Sequence, residues 1–249
     1  MTDRMPPLLE VALNGSRSAA EHPAIPRTPP ELAQASRACV EAGARVLHLH
    51  AYDEEGEETL AGAPCAAVIR TVREACPGVP ISLTTSEGIE PDHKRRLALV
   101  EQWTELPELV TANMGEAGIL DLCELLLARG VGIEAGLLGL ADAEVFARSG
   151  IAPRCTRALI EPLDPDPQAA VAHAAAMEEV LLRAGITLDQ VHHGDGIASW
   201  AVNARALPRG HGIRTGLEDT TILPDGRPAR DNADLVRAAA TMIAEANRG

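Results

Sequence analysis

The sequence predicts a closed barrel of eight parallel β-strands surrounded by eight α-helices, in a single domain over residues 1–249. Short apolar runs alternate with longer amphipathic segments, and eight such pairs follow one another along the chain. The length of 249 residues suits one α/β (β/α)8 TIM barrel, which typically has about 250 residues. A doubly wound open sheet is the alternative, and the eight pairs together with the length favour the barrel.

The predicted strands are short apolar runs bounded by glycine, proline or polar residues. In order they cover residues 8–15, 45–51, 79–86, 109–115, 132–138, 157–163, 191–196 and 212–219. The predicted helices, with apolar residues at helical intervals, cover 29–44, 64–76, 92–103, 117–130, 140–150, 167–185, 197–207 and 232–246. Prolines near the first turn of the first helix and Gly43 at its end are typical start and stop signals. The irregular stretch 15–30 exceeds an ordinary strand-to-helix loop, so we expect an active-site loop there.

The composition restricts the class of protein and its partners. Hydrophobic residues make up 46% of the chain but aromatic residues only 2%, so Ala, Val, Leu and Ile must build the core. The formal net charge of −14 argues against non-specific binding to nucleic acid or to an anionic membrane. The sequence has no run of 18 apolar residues, so we expect no membrane span. It does not open with a charged segment followed by an apolar one, so we expect no export signal.

The five cysteines are odd in number, widely spaced and never arranged as C-x-x-C. This usage argues against a disulfide framework and against a thiolate zinc site. It fits a reducing compartment, and we therefore expect a cytoplasmic protein.

Two histidines stand one residue apart at the end of the second predicted strand, in VLHLHAYD (46–53). Strand alternation places His48 and His50 on one face and the neighbouring leucines on the other. In a (β/α)8 barrel the reactive groups come from the carboxyl ends of the strands. Two imidazoles at this spacing can share one zinc ion. The alternative is a pair of hydrogen-bonded core histidines, which explains less well why both share a strand end.

The eighth predicted strand ends in Arg214-Thr215-Gly216-Leu217-Glu218-Asp219. Alternation puts Arg214, Gly216 and Glu218 on one face, and Glu218 could then supply a third metal ligand. Two histidines and a carboxylate with an open position form a catalytic zinc arrangement. Asp219 could act as a base or orient Arg214. The alternative is that Glu218 and Asp219 cap the following turn and pair with Arg214.

Polar side chains also crowd the other strand ends, which favours an enzyme over a structural barrel. Thr85, Ser86 and Asp195 could instead cap the following helix, because Ser, Thr and Asp are preferred at helix N-caps. The remaining candidates are Thr84, Thr111, Asn113, Glu134, Glu161, His192 and His193.

Six segments together carry a resemblance to a known family. They are ALNGSR (12–17), EHPAIPRTPPELA (21–33), EAGARVLHLHAYD (41–53), TANMGEAG (111–118), IEAGLL (133–138) and IRTGLED (213–219). On these motifs the chain resembles, over nearly its whole length, the β-keto acid cleavage enzymes, the family of 3-keto-5-aminohexanoate cleavage enzyme. HGDGIASWAV (193–202) is similar to its short, actinobacterial-type members.

The resemblance implies a (β/α)8 fold and a Zn²⁺ cofactor held by His48, His50 and Glu218. It implies an acyltransferase in which a β-keto acid and acetyl-CoA give acetoacetate and a new CoA thioester by a retro-Claisen route. Arg214 and Asp219 match the family residues that deprotonate and orient the substrate. Thr84 and Thr111 match the family hydroxyls that stabilise the oxyanions. The substrate-binding positions it implies are Asn14, Arg17, Asn113 and Glu134. The family also implies a homo-oligomer, commonly a tetramer.

The chain departs from the family pattern at four places. The strand-three motif S-T-G reads Thr84-Thr85-Ser86, and Tyr52 stands where an arginine usually follows the two histidines. The glycine-rich segment after strand six reads Glu161-Pro162-Leu163-Asp164-Pro165-Asp166-Pro167. Members that accept an amine have an acidic residue at the position of Arg17. We therefore predict that the substrate tail is neutral or anionic.

Two other functions compete with acyl exchange. A zinc-dependent lyase or hydrolase that cleaves a carbon–carbon bond of an oxo acid without CoA is motivated by the acidic segment 161–167. A catalytically silent, metal-stabilised barrel used for binding is the other. Arg214 and Asp219 argue against the silent barrel, because a structural zinc needs neither.

Overall fold

The computed structural model describes residues 6–248, so both bounds of the predicted domain, 1 and 249, lie outside the described residues. Within them, eight parallel strands form a closed barrel in which each strand pairs with its neighbours in sequence and β8 pairs with β1. The strands are β1 Leu9–Ala12, β2 Val46–Leu49, β3 Ile81–Thr84, β4 Leu109–Asn113, β5 Gly132–Leu137, β6 Arg157–Ile160, β7 Gln190–His192 and β8 Gly212–Thr215. The predicted barrel is confirmed, and the open-sheet alternative is wrong.

A helix follows every strand, as the alternation predicts. The helices are α1 Pro29–Ala42, α2 Gly62–Ala75, α3 His93–Glu101, α4 Ile119–Ala128, α5 Leu140–Ser149, α6 Pro167–Arg183, α7 Ala198–Ala206 and α8 Asn232–Ala246. Helix α1 shows why the sequence signals worked: Thr28 and Glu31 form a reciprocal capping box, and Gly43 ends the helix at φ 118°. Across residues 6–248, each helix is too short or too polar to cross a membrane.

Each observed strand ends one to four residues before the predicted one. The eighth predicted strand ran to residue 219, whereas β8 ends at Thr215 and residues 217–219 form a turn. The sequence pattern therefore located the carboxyl end of the barrel correctly but assigned loop residues to strands.

The apolar core lies between the barrel and its helices. Residues such as Val11, Leu47 and Leu83 are fully buried and belong to one continuous cluster of aliphatic side chains. Their neighbours along each strand point the other way, into the barrel, because side chains alternate along a strand. The core is built from Ala, Val, Leu and Ile with few aromatics, as the composition predicts.

Charged residues fill much of the barrel interior. Arg157 lies 3.5 Å from Glu134 and 3.9 Å from Glu10, which comes from the opposite side of the barrel. Glu10 pairs in register with Arg214 on β8. Burial, and then the neighbouring Glu134, raises the pKa of Glu10 well above its usual value. This layer of ionisable side chains forms the floor beneath the carboxyl-end face.

All five cysteines are free, in line with the expectation of no disulfide framework, and all five are buried. Burial raises the pKa of the Cys65 and Cys123 thiols to about 12 and that of Cys155 to about 11. The pKa values of Cys39 and Cys76 are raised for the same reason. A thiol held in its neutral form is a poor nucleophile and a poor metal ligand.

Candidate active site

His48, His50 and Glu218 meet at the carboxyl end of the barrel, as the sequence predicts. The Nε2 atoms of His48 and His50 each lie 3.6 Å from Oε2 of Glu218. That carboxylate oxygen is buried and has no hydrogen-bond partner. A buried charged oxygen without a partner is costly. The three side chains are therefore placed as ligands of a cation would be.

The geometry fits a divalent metal ion. Two ligands each about 2.1 Å from a tetrahedral ion lie roughly 3.4 Å apart, close to the observed spacing. Burial, and then the guanidinium of Arg214, lowers the pKa of His48 well below its usual value. His48 is therefore neutral at pH 7, which is the form that binds metals.

Glu218 reaches the histidines from the turn after β8, and not by strand alternation as predicted. Glycines allow this turn to approach the end of β1. A Cβ on Gly216, whose φ is 154°, would lie 1.9 Å from the carbonyl oxygen of Ala12. A Cβ on Gly15 would lie 2.5 Å from Cγ of Glu218. The glycines at 15 and 216 therefore leave room for the carboxylate.

Each of the two candidate ligand histidines is supported on its far side. Nδ1 of His50 donates to Oε1 of Glu58 at 2.5 Å, which fixes the tautomer and leaves Nε2 free. Nδ1 of His48 lies 3.2 Å from the hydroxyl of Thr111 and 3.4 Å from that of Ser82. Ser82 in turn donates to the fully buried carboxylate of Glu134. Glu58 and Ser82 were absent from our sequence-based candidates, although Ser82 alternates with Thr84 along β3.

Asn14 and Tyr52 brace the main chain around the histidines. The fully buried amide of Asn14 accepts from the backbone N–H of His50 at 2.9 Å and donates to its carbonyl at 3.0 Å. The hydroxyl of Tyr52 donates to the carbonyl of Gly15, and the guanidinium of Arg27 lies 4.5 Å from the centre of its ring. These contacts fix His50 and the loop after β1. That Asn14 also binds substrate stays a prediction.

Arg214 and Asp219 form a buried ion pair beside the three candidate ligands. Nη2 of Arg214 donates to Oδ1 of Asp219 at 2.7 Å, and Nε donates to Oδ2 at 3.3 Å. Burial alone would raise the pKa of Asp219, but Arg214, and then His193, lower it to about 2. The carboxylates of Asp219, Glu218 and Glu161 outweigh the opposing effect of burial and raise the pKa of Arg214. Asp219 is therefore held as a carboxylate at neutral pH.

The remaining predicted site residues lie at different depths. Thr84 and Thr111 are register partners on β3 and β4, and Thr111 lies beside His48. Asn113 donates to Glu116 at 2.8 Å and lines a surface cleft of ≈ 420 Å³. Glu134 lies one layer below the ligands and is fully buried. The guanidinium of Arg17 spans the loops, donating to the carbonyl of Glu218 at 3.0 Å and to Asp195 at 3.3 Å.

Two further groups of histidine and carboxylate lie close together in the described residues: Glu178, His192 and His211, and Glu161, His193 and Asp219. In the first, two arginines and His211 already surround Glu178, at the amino end of the barrel. The second adjoins Arg214 at the carboxyl end. The sequence pattern placed Glu161 and His193 at strand ends but gave them no partner.

The chain matches known proteins along most of its length. Residues 6–156 and 163–249 match a family model described as beta-keto acid cleavage enzyme. The 3-keto-5-aminohexanoate cleavage enzyme of Fusobacterium nucleatum is 26% identical over 264 residues, which cover 97% of this chain and 92% of that protein. The enzyme of the same name from Acetoanaerobium sticklandii is 25% identical over 261 residues, covering 97% and 93%.

Among solved structures, a ternary complex of ObcA with a C4-CoA adduct and oxalate has the same barrel fold. Its TM-score is 0.73 at 18% sequence identity, and the match covers 90% of this chain but only 64% of that chain. The family model, by contrast, matches the sequence itself on both sides of a six-residue gap at 157–162. The chain therefore belongs to the β-keto acid cleavage enzyme family.

Proposed function

We propose that this protein is a zinc-dependent acyltransferase that exchanges acyl groups between a β-keto acid and acetyl-CoA. The acyl group of the β-keto acid passes to CoA, and the acetyl group passes to the released two-carbon carboxylate. The products are acetoacetate and a new CoA thioester. The observation that carries the proposal is the unpartnered oxygen of Glu218, which faces two imidazole nitrogens beside the Arg214–Asp219 pair.

Each residue of the site has a place in this exchange. Zn²⁺ held by His48, His50 and Glu218 would supply a Lewis acid for the keto and carboxylate oxygens of the substrate. Asp219 accepts the proton from the carbon between those two groups, and Arg214 orients its carboxylate. The hydroxyls of Thr84 and Thr111 donate to the oxyanions, a contribution of roughly 3 kcal/mol per donor.

The substrate tail is proposed to be neutral or anionic. Arg17 holds the loop after β1 against the carbonyl of Glu218 and is about a quarter exposed, with a side-chain exposure of 26%. Its guanidinium is paired with Asp195 at 3.3 Å and with Glu21 at 3.5 Å. Because it stands where amine-accepting members have an acidic residue, this position offers no carboxylate to a cationic tail. Asn113, with Arg17, is proposed to contact the substrate. A homotetramer and a cytoplasmic location remain predictions.

A panel of β-keto acids tests the proposal directly. Purified protein loaded with Zn²⁺ is incubated with acetyl-CoA and neutral, dicarboxylic or amino-substituted β-keto acids, and the CoA esters are identified by mass. We expect a new CoA thioester together with equimolar acetoacetate from a neutral or dicarboxylic substrate. A preference for 3-keto-5-aminohexanoate would contradict the proposed tail chemistry.

Cleavage without CoA is the second candidate function. The family match omits residues 157–162, and Glu161 and the acidic segment that follows stand where the family has glycines. The same panel run without acetyl-CoA separates the two. Cleavage at an equal rate in its absence would favour a lyase or hydrolase and would refute acyl exchange.

Glu58 is expected to set how tightly the metal is held. In Glu58→Gln the carboxylate that accepts from Nδ1 of His50 loses its charge, so His50 becomes a weaker ligand. Replacing such a partner typically costs 10–100-fold in metal affinity, and we expect a loss of about that size. Competition between the protein and a chromophoric chelator measures it. Glu57→Gln, an exposed neighbour, is the matched control, and equal affinities for both variants would contradict the role.

A further inference from the structure

His193 lies between two carboxylates just beyond the end of β7. Its side chain is fully buried, with Nδ1 3.5 Å from Oδ1 of Asp219 and Nε2 3.5 Å from Oε2 of Glu161. Neither ring nitrogen has a hydrogen-bond partner within normal distance. Buried imidazole nitrogens without partners are costly, so a function must offset this arrangement.

One ligand atom from each of the three residues lies within 4.8 Å of the others, but the nearest contacts of His193 are not arranged around one point. The two nitrogens of His193 lie on opposite sides of the ring, and each faces a different carboxylate. The oxygen of Asp219 that faces His193 also accepts from Arg214 at 2.7 Å. A cation there would compete with a guanidinium. These contacts favour a carboxylate–imidazole–carboxylate chain over a second metal site.

The row formed by Glu161, His193 and Asp219 determines what surrounds the carboxylate of Asp219. Arg214 contacts Asp219. The guanidinium of Arg214 is also attracted by Glu218 at 3.3 Å and by Glu161 at 3.7 Å. His193 is the second group that faces the carboxylate of Asp219, and Glu161 faces the far nitrogen of the ring. Hydrogen bonds of catalytic groups are often long in ligand-free structures and shorten when substrate binds.

We propose that His193, oriented by Glu161, is a positioning residue that fixes the carboxylate of Asp219 for proton abstraction. The inference rests on the proposed function, in which Asp219 accepts the proton. Glu161 lies in the 157–162 segment outside the family match. His193, by contrast, lies within the matched range 163–249.

Hydrogen exchange separates this role from the rest of the reaction. Acetoacetate, the simplest β-keto acid, is incubated with Zn²⁺-loaded protein in D₂O without acetyl-CoA, and deuterium at C2 is followed by NMR above the uncatalysed rate. A misplacement of about 1 Å can cost roughly 100-fold. We therefore expect His193→Ala to lose about 100-fold in enzyme-catalysed exchange and in kcat, with KM and metal content little changed.

Two conservative variants make the test specific to geometry. The amide nitrogen of asparagine takes the place of Nδ1, which faces Asp219, and that of glutamine the place of Nε2, which faces Glu161. We expect His193→Asn to recover more exchange than His193→Gln. His211→Asn, a histidine beside Glu178 at the amino end of the barrel, is the control and should exchange like the wild type.

The outcomes are distinguishable. Wild-type rates in His193→Ala, or equal rates in the asparagine and glutamine variants, would overturn the role of His193. If the alanine variant does not fold, the comparison of asparagine with glutamine decides alone. Failure of the wild-type protein to exchange would instead refute the proposed function.

Discussion

Glu218→Gln is expected to lose its bound zinc and all measurable acyl exchange. The amide keeps the size of the side chain but removes the charge that faces both imidazoles at 3.6 Å. Loss of a partner outside the ligand set costs roughly 10–100-fold in affinity, and loss of a ligand should cost more. Metal content after dialysis and chelator competition measure the effect.

A variant of a second candidate ligand repeats the test, and a variant of a surface residue serves as its control. His48→Ala should lose zinc in the same way, whereas Glu54→Gln, at an exposed position, should retain it. Zinc and activity both preserved in His48→Ala would refute the site. Thermal unfolding of the metal-free proteins would show whether the variants fold alike.

Asp219→Asn is expected to keep its zinc and lose turnover. Asparagine can still accept from Arg214, but it cannot take a proton from the substrate. General-base groups contribute typically 10²–10⁴-fold, so we expect kcat to fall by about that range at unchanged metal content. Steady-state kinetics and metal analysis on the same sample check both parts. Asp225→Asn, an exposed aspartate paired with Arg227, is the matched control.

The same assignment predicts how activity depends on pH. The pKa of Asp219 is about 2, so its base form persists as the pH falls from neutral and is lost only near pH 2. We therefore expect no loss of activity from Asp219 between about pH 5 and 8. An acid limb near neutral pH that disappears in Asp219→Asn would contradict this assignment. Glu218 and Asp219 are neighbours in sequence, yet their variants should differ in whether zinc remains.

Much of the fold followed from local patterns. Alternating apolar runs and amphipathic segments sufficed for eight strand–helix units, since each unit buries one face. His48 and His50 were located by the same reasoning, because alternation along the predicted strand 45–51 places both on one face, although β2 itself ends at Leu49. Their approach to Glu218 depends on barrel closure, which brings β8 beside β1.

The residues that the sequence did not reveal depend on loop geometry. Glu58 meets His50 because the chain reverses between them, with Tyr52 and Glu58 as bridge partners, and no local pattern specifies that reversal. Glu218 was assigned to a strand, but it reaches the site from a turn. His193 lies beside Glu161 and Asp219 because the carboxyl ends of β6, β7 and β8 meet in the folded barrel. Local periodicity carries no information on such long-range contacts.

The five buried cysteines have a practical consequence for assays of this protein. With thiol pKa values of about 11 to 12 at Cys65, Cys123 and Cys155, and all five side chains buried, the folded chain offers little background to an aromatic disulfide reagent. Free CoA can then be titrated continuously by absorbance in the reaction mixture. Acyl exchange conserves the thioester and gives no signal, whereas thioester hydrolysis gives one thiol per turnover. Cysteine burial thus lets a simple colorimetric trace tell a transferase from a thioester hydrolase.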